Sequence, residues 1–261
     1  LGYFSRIIIA RFLGASDYGL ISLGFAVLNI AAALSLVGFN KGIQRYVSFY
    51  KGKEDKGRVK GTVLGALKIC LPLSLIFTSL IFFYADWISI HIFHSPELTP
   101  VLRIFTIGVP FWVLATIFNS GSVGFQEIKY QVYSTFIFKD TFKLIAIVTF
   151  LALGFGVIGA SVGWVLAIIG MSVLAFYFLE KRVFPILSTK VKAVSVDKEL
   201  FLFSFPLIFA GIAGLITSWT DTLMLGYFRT ASEVGIYNAA MPTAKLLSIV
   251  LGAFVIIFMP V

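Results

Sequence analysis

Apolar runs long enough to cross a bilayer return again and again along this chain, separated by short polar connections. Few folds tolerate that pattern. In hydrocarbon every backbone N–H and C=O must find its partner within the protein, so a spanning chain forms helices or a closed barrel. All but the first of the runs here exceed the roughly 20 residues a membrane helix needs, and they lack the strict alternation of barrel strands. Only 13% of the 261 residues are charged and 59% are hydrophobic, too little charge to clothe a soluble domain. A net charge of +9 would suit nucleic acid, but the basic residues fall between the apolar runs in a membrane pattern. The chain therefore reads as an all-α integral membrane protein with no nucleic-acid partner.

Eight transmembrane helices fit the pattern. They cover about 1–12, 18–39, 62–87, 101–125, 130–153, 157–178, 200–228 and 235–260. The charged segment 40–61 and the polar stretch 180–199 are too hydrophilic for lipid. The chain begins with Leu rather than Met and stops as its last helix completes, so it reads as a fragment cut at both ends. Cys70, the one cysteine, lies within an apolar run and reads as a packing residue.

The connections alternate in charge. One side carries thirteen basic residues: seven between Lys41 and Lys60, then Lys129, then five between Lys181 and Lys198. The other carries three, Arg11, Arg103 and Arg229. The excess marks the first side as cytoplasmic. A six-residue pattern also recurs, ASDYGL at 15–20 and ASEVGI at 231–236. Each copy opens an apolar helix, where Ser and an acid suit the free N–H groups and the helix dipole. Such recurrence fits a transporter built from two related halves. Gly159 and Gly163 have the spacing that lets helices approach closely.

Some charges fall at depths lipid does not tolerate. Arg6, Lys68, Lys139, Lys143, Lys245, Asp140 and Asp221 all lie inside apolar runs. A charge at mid-bilayer costs at least about 2.5–3.5 kcal/mol on insertion scales, so it faces a partner or a wet cavity. Lys139 and Lys143 are four residues apart, on one helix face, and Asp140 is placed to pair with Lys143. Two ammonium groups beside one carboxylate point to a cavity that attracts anions. Arg6 is the deeper of the two first-helix arginines, and Arg11 is near enough to an end to snorkel. Asp221 suits a coupling cation or a pair with Lys245. His91 and His94 read as surface histidines in a short loop. No metal, cofactor or catalytic constellation is expected, and the chain does not read as an enzyme.

Four segments carry a family resemblance: ARFLGASDYG at 10–19, GFNKGIQRY at 38–46, DTLMLG at 221–226 and EVGIYNAA at 233–240. The chain resembles the polysaccharide and oligosaccharide-lipid flippases of the multidrug/oligosaccharidyl-lipid/polysaccharide exporter superfamily. The resemblance implies a polytopic bundle of 12–14 helices in two lobes around a central cavity, working by alternating access. Residues 1–185 would then be the N-terminal lobe, 186–199 a cytoplasmic linker and 200–261 the start of the C-terminal lobe. The implied cargo is a polyprenyl-diphosphate-linked oligosaccharide, moved to the outer leaflet of a prokaryotic cell membrane for surface polysaccharide synthesis. Membrane lipids and a glycan polymerase or glycosyltransferases are the implied partners. Arg11, and more loosely Arg6, match first-helix cations that meet the diphosphate in related flippases. Lys139, Lys143 and Lys245 join them on the depth argument. Two other functions compete. A cation-coupled multidrug exporter of the same superfamily would favour acids in its cavity. A membrane glycosyltransferase or ligase would need a large outer loop with acidic groups.

Overall fold

The computed structural model describes residues 2–189, 191–241 and 243–244, with 2–8 described as backbone alone. Among the described residues the only regular structure is helical, with no strand. Helix α1 (Gly2–Leu36) has two limbs that join at Gly14, whose φ of 81° and ψ of 171° break the helical path. Positive φ costs glycine little, which is why the chain can turn on one residue. These limbs are the first two helices expected from the sequence.

The charged stretch after them is not simply a connection. Its first part forms α2 (Phe39–Gly52), an amphipathic helix with Phe39, Ile43, Val47 and Tyr50 buried. The basic side chains crowd the other face, so the helix forms without entering lipid. Helix α3 (Lys56–Trp87) begins at Asp55, whose carboxylate accepts a hydrogen bond from the Arg58 N–H at 3.0 Å. A π-helical stretch (Ile88–Ile92) prolongs it. Helix α4 (Leu98–Gly124) is the axis of the bundle and packs against α1, α2 and α3. Helix α5 (Ile128–Gln131) passes through a π-helical stretch (Val132–Phe138) directly into α6 (Lys139–Ala152). Helix α7 (Gly156–Phe178) packs on both α4 and α6. Gly163 allows this: a Cβ there would sit 3.1 Å from the α6 backbone at Ala146 and Ile147. Helix α8 (Asp197–Phe228) follows, and α9 covers 231–241, starting slightly before the expected 235.

Among the described residues five helical runs are long and apolar enough to cross a membrane: Ile9–Leu36, Lys56–Ile92, Leu98–Gly124, Gly156–Val183 and Asp197–Phe228. With the other limb of α1, the α5–α6 rod and α9, the count of about eight agrees with the sequence. The protein is a multi-pass membrane helix bundle.

Two glycine contacts organise the chain beyond single helices. Gly57, Gly61 and Gly65 form a stripe along the start of α3, and the segment leading into α8 lies in it. The Val194 N–H donates to the Gly57 carbonyl at 3.0 Å, and a Cβ on Gly61 would overlap the Val194 carbonyl. The second contact joins the two copies of the six-residue pattern. A Cβ on Gly19 would fall on the Ala231 carbonyl oxygen, and one on Gly235 would fall on the Ala15 carbonyl oxygen. Each would also lie 3.0 Å from the other glycine's nitrogen. Equivalent positions of the repeat therefore touch reciprocally, as across a local two-fold axis.

Candidate functional site

Facing polar steps lie on α4 and on the α5–α6 rod. On α4 they are Trp112, Thr116 and Asn119; on the rod they are Gln131, Thr135, Lys139 and Lys143. A four-residue step overshoots one α-helical turn by about 40°. A π turn closes i to i+5 and holds more than four residues, so the same step falls short. The π-helical stretch at Val132–Phe138 thus offsets the drift and keeps the rod's polar groups in one file. The Asn119 amide donates to the Thr135 hydroxyl at 3.1 Å and accepts from the Ser134 hydroxyl at 2.9 Å, tying the two files together.

At the inner end of these files stands a three-residue cluster. Asp140 Oδ1 lies 3.1 Å from Lys143 Nζ and 3.9 Å from Lys139 Nζ. The side chains of Lys143, Asp140 and Lys139 are 5%, 14% and 15% exposed, so the cluster is inside the bundle rather than against lipid. The three groups carry a formal charge of +1. Each ammonium also faces an indole: Lys139 Nζ is 5.3 Å from the Trp112 ring centroid and Lys143 Nζ 4.8 Å from that of Trp164. Such contacts contribute about 0.5–2 kcal/mol and offset part of the cost of keeping the charges from water. Phe25 of α1 packs between these indoles and reaches Trp219 of α8, with ring centroids 4.9 Å from Trp164 and 5.8 Å from both Trp112 and Trp219. An aromatic wall therefore closes the cluster on one side and joins α8 to the first helices.

The other expected residues have different settings. Arg11 is exposed, three residues before the Gly14 break. The Arg6 side chain and all of Lys245 lie outside the described residues. Asp221 is exposed on α8 and accepts a 2.7 Å hydrogen bond from the Tyr237 hydroxyl of α9. Lys68 is 78% exposed and reaches Asp197 at 3.9 Å. His91 stacks on Trp87, and His94 meets Tyr227 edge-on. The sequence reading missed Trp112, Trp164 and Asn119, which partner the cluster from other helices. The spacing 131, 135, 139, 143 was the one signal that would have extended the site.

At the basic end of the bundle α2 and α8 are joined. Buried Tyr50 donates to the Glu199 carboxylate at 2.6 Å. Burial, and then that carboxylate, push the Tyr50 hydroxyl up to about 12. Glu180 makes a second anchor. Its carboxylate accepts from the backbone N–H groups of Ile186, Leu187 and Ser188 and fixes the turn after α7.

Comparison with known proteins gives the wider setting. The family described as "Polysaccharide biosynthesis protein" matches residues 1–261, the whole chain. Stage V sporulation protein B of Bacillus subtilis (strain 168) is 25% identical over 181 residues, covering 69% of this chain and 35% of that protein. The match thus spans about a third of that relative's length. Among solved structures, an inward-facing multidrug resistance MATE family transporter of the MOP superfamily superposes with a TM-score of 0.74 at 18% identity. That likeness covers 95% of this chain and 58% of the transporter. A MATE structure in a bent conformation gives 0.57 at 18% identity, over 99% of this chain and 72% of that one. At these identities the likeness is one of fold.

Proposed function

This chain belongs to the family described as "Polysaccharide biosynthesis protein", and we propose that it is part of a MOP-superfamily flippase for polyprenyl-diphosphate-linked oligosaccharide. The observation that carries the reading is the Lys139–Asp140–Lys143 cluster, a positive group kept within the bundle at mid-membrane depth. Lys139 lies eleven residues from the start of α5, about 16 Å along a helix and close to half the hydrocarbon thickness. A diphosphate cannot cross that region without replacing its hydration. An ammonium already fixed by a carboxylate and an indole meets the anion with little reorganisation. Lys139, the more open of the two lysines, contacts the diphosphate, and Asp140 and Lys143 hold it in position. The basic end faces the cytoplasm of a bacterial cell, so the cargo enters there and leaves at the Gly14 end. Residues 1–185 form one lobe, 186–199 the linker and 200–261 the start of the other lobe, and the reciprocal Gly19–Gly235 crossing is where the repeats of the two lobes meet.

The rival multidrug-exporter reading shares the fold. Two lysines at mid-depth repel a cationic drug, which favours the anionic cargo. The test is glycan export by the full-length protein in cells. Lys139→Ala lowers export without lowering protein level, and Lys139→Arg keeps most of it because the charge is retained. Normal export by the double change Lys139→Ala with Lys143→Ala overturns the reading.

A further inference from the structure

We infer that the polar space beside the cation cluster is a subsite for a neutral sugar ring. It is a cavity of about 240 Å³ that runs from the start of α2 to Trp112. Its wall brings together Asn40 and Gln44 from α2, Thr116 and Asn119 from α4, and Gln131 and Thr135 from the rod. These side chains come from segments far apart in sequence, and every one is an uncharged amide or hydroxyl.

The chemistry of that wall selects a class of ligand. An amide offers donors and an acceptor, and a hydroxyl offers both, so the wall matches the hydroxyls of a sugar in either role. Among the described residues the exposed Lys41 is the one charged lining residue, and no carboxylate lines the space. A cation therefore finds no counter-charge there. Part of the wall is already set: Thr135 accepts from Asn119, which leaves its own O–H to donate to a ligand. A group held in place before binding loses little freedom when the ligand arrives. The volume is below the roughly 300–1,000 Å³ of sites for drug-sized ligands, so it suits one ring rather than a chain.

Position gives the second argument. Trp112 closes the inner end of the cavity and carries Lys139 over its ring. A diphosphate on Lys139 thus has the polar cavity on the basic-end side, and the first sugar attached to it enters that space. This deepens the flippase proposal and rests on its assignment of the diphosphate to Lys139.

The test is equilibrium binding to the purified full-length protein with two short probes of equal charge. One is farnesyl diphosphate closed by a methyl ester; the other carries a single N-acetylglucosamine in place of the methyl. The sugar probe binds about tenfold tighter, the effect of roughly one good hydrogen bond. Gln131→Ala or Gln44→Ala brings the two probes to the same affinity and leaves the methyl probe unchanged. Lys139→Ala weakens both probes together. If the wild-type protein binds both probes equally, the sugar subsite is refuted and the diphosphate site stands. If it binds neither, the diphosphate site falls and the subsite with it.

Discussion

Gly19→Ala adds one methyl group at the place where the two repeats cross, and its cost follows from what that methyl meets. The added Cβ overlaps the carbonyl oxygen of Ala231, a backbone atom that cannot swing aside as a side-chain tip does. Relief requires the start of α9 to shift away from α1 as a body. Forcing a methyl into packed structure costs about 1–3 kcal/mol. Alanine returns roughly 0.5–1 kcal/mol by restricting the unfolded chain and favouring helix. The net loss is therefore up to about 2.5 kcal/mol, with a central value of about 1 kcal/mol. Gly52→Ala is the control, since a Cβ there meets nothing within 4 Å. Cys70 supplies the assay: it is fully buried, so a fluorogenic maleimide reports unfolding as the full-length protein, with Cys70 as its sole cysteine, is heated in detergent. Gly19→Ala melts earlier than the parent, and Gly52→Ala does not. Gly235→Ala has a similar cost, and the double variant loses less than the sum because one shift relieves both overlaps. An unchanged melt for Gly19→Ala, or strictly additive losses, refutes the reciprocal crossing.

Three further outcomes follow from other contacts. Gly61→Val displaces the Val194 carbonyl from the α3 stripe, so brief proteolysis cuts around 189–196 faster; equal rates contradict the seat. Glu180→Gln trades a charged acceptor for a weaker one at three backbone N–H groups and costs about 1–3 kcal/mol in the same Cys70 melt, where no change removes its role as an anchor. Tyr50, held near 12, keeps its proton more tightly in the folded state than at its ordinary value of 10.0. Its contribution to stability is whole below about pH 10 and is lost as pH rises toward about 12. Ultraviolet titration of tyrosinate then loses one late-titrating group in Tyr50→Phe, and an unchanged curve refutes the shift.

Much of the bundle was legible in the sequence because a membrane helix is a local property: length and apolarity define it before any partner is known. Helix α2 was less visible, since its charges mask an apolar face. The spacing of Phe39, Ile43, Val47 and Tyr50 still carried it. The stripe Gly57, Gly61, Gly65 was readable as close packing, but the partner is an extended segment more than a hundred residues away, which no helical period reveals. The same holds at the site. Depth alone singled out Lys139, Asp140 and Lys143, whereas Trp112 and Trp164 looked like ordinary apolar positions until α4 and α7 met α6. Asp221 was read with Lys245 or a cation in mind; its described partner is Tyr237, a residue type that gave no electrostatic signal. The repeat was legible as six letters, and its reciprocal contact was not.

Translocation by the full-length protein in sealed vesicles tests the central claim most directly. A fluorescent polyprenyl diphosphate bearing one N-acetylhexosamine is placed in both leaflets, and a membrane-impermeant quencher reads how much crosses. The account predicts transfer by the wild-type protein, about tenfold slower transfer by Lys139→Ala, and substantial recovery in Lys139→Arg. Equal rates for wild type and Lys139→Ala, or transfer of a cationic dye in preference to the diphosphate, would contradict it.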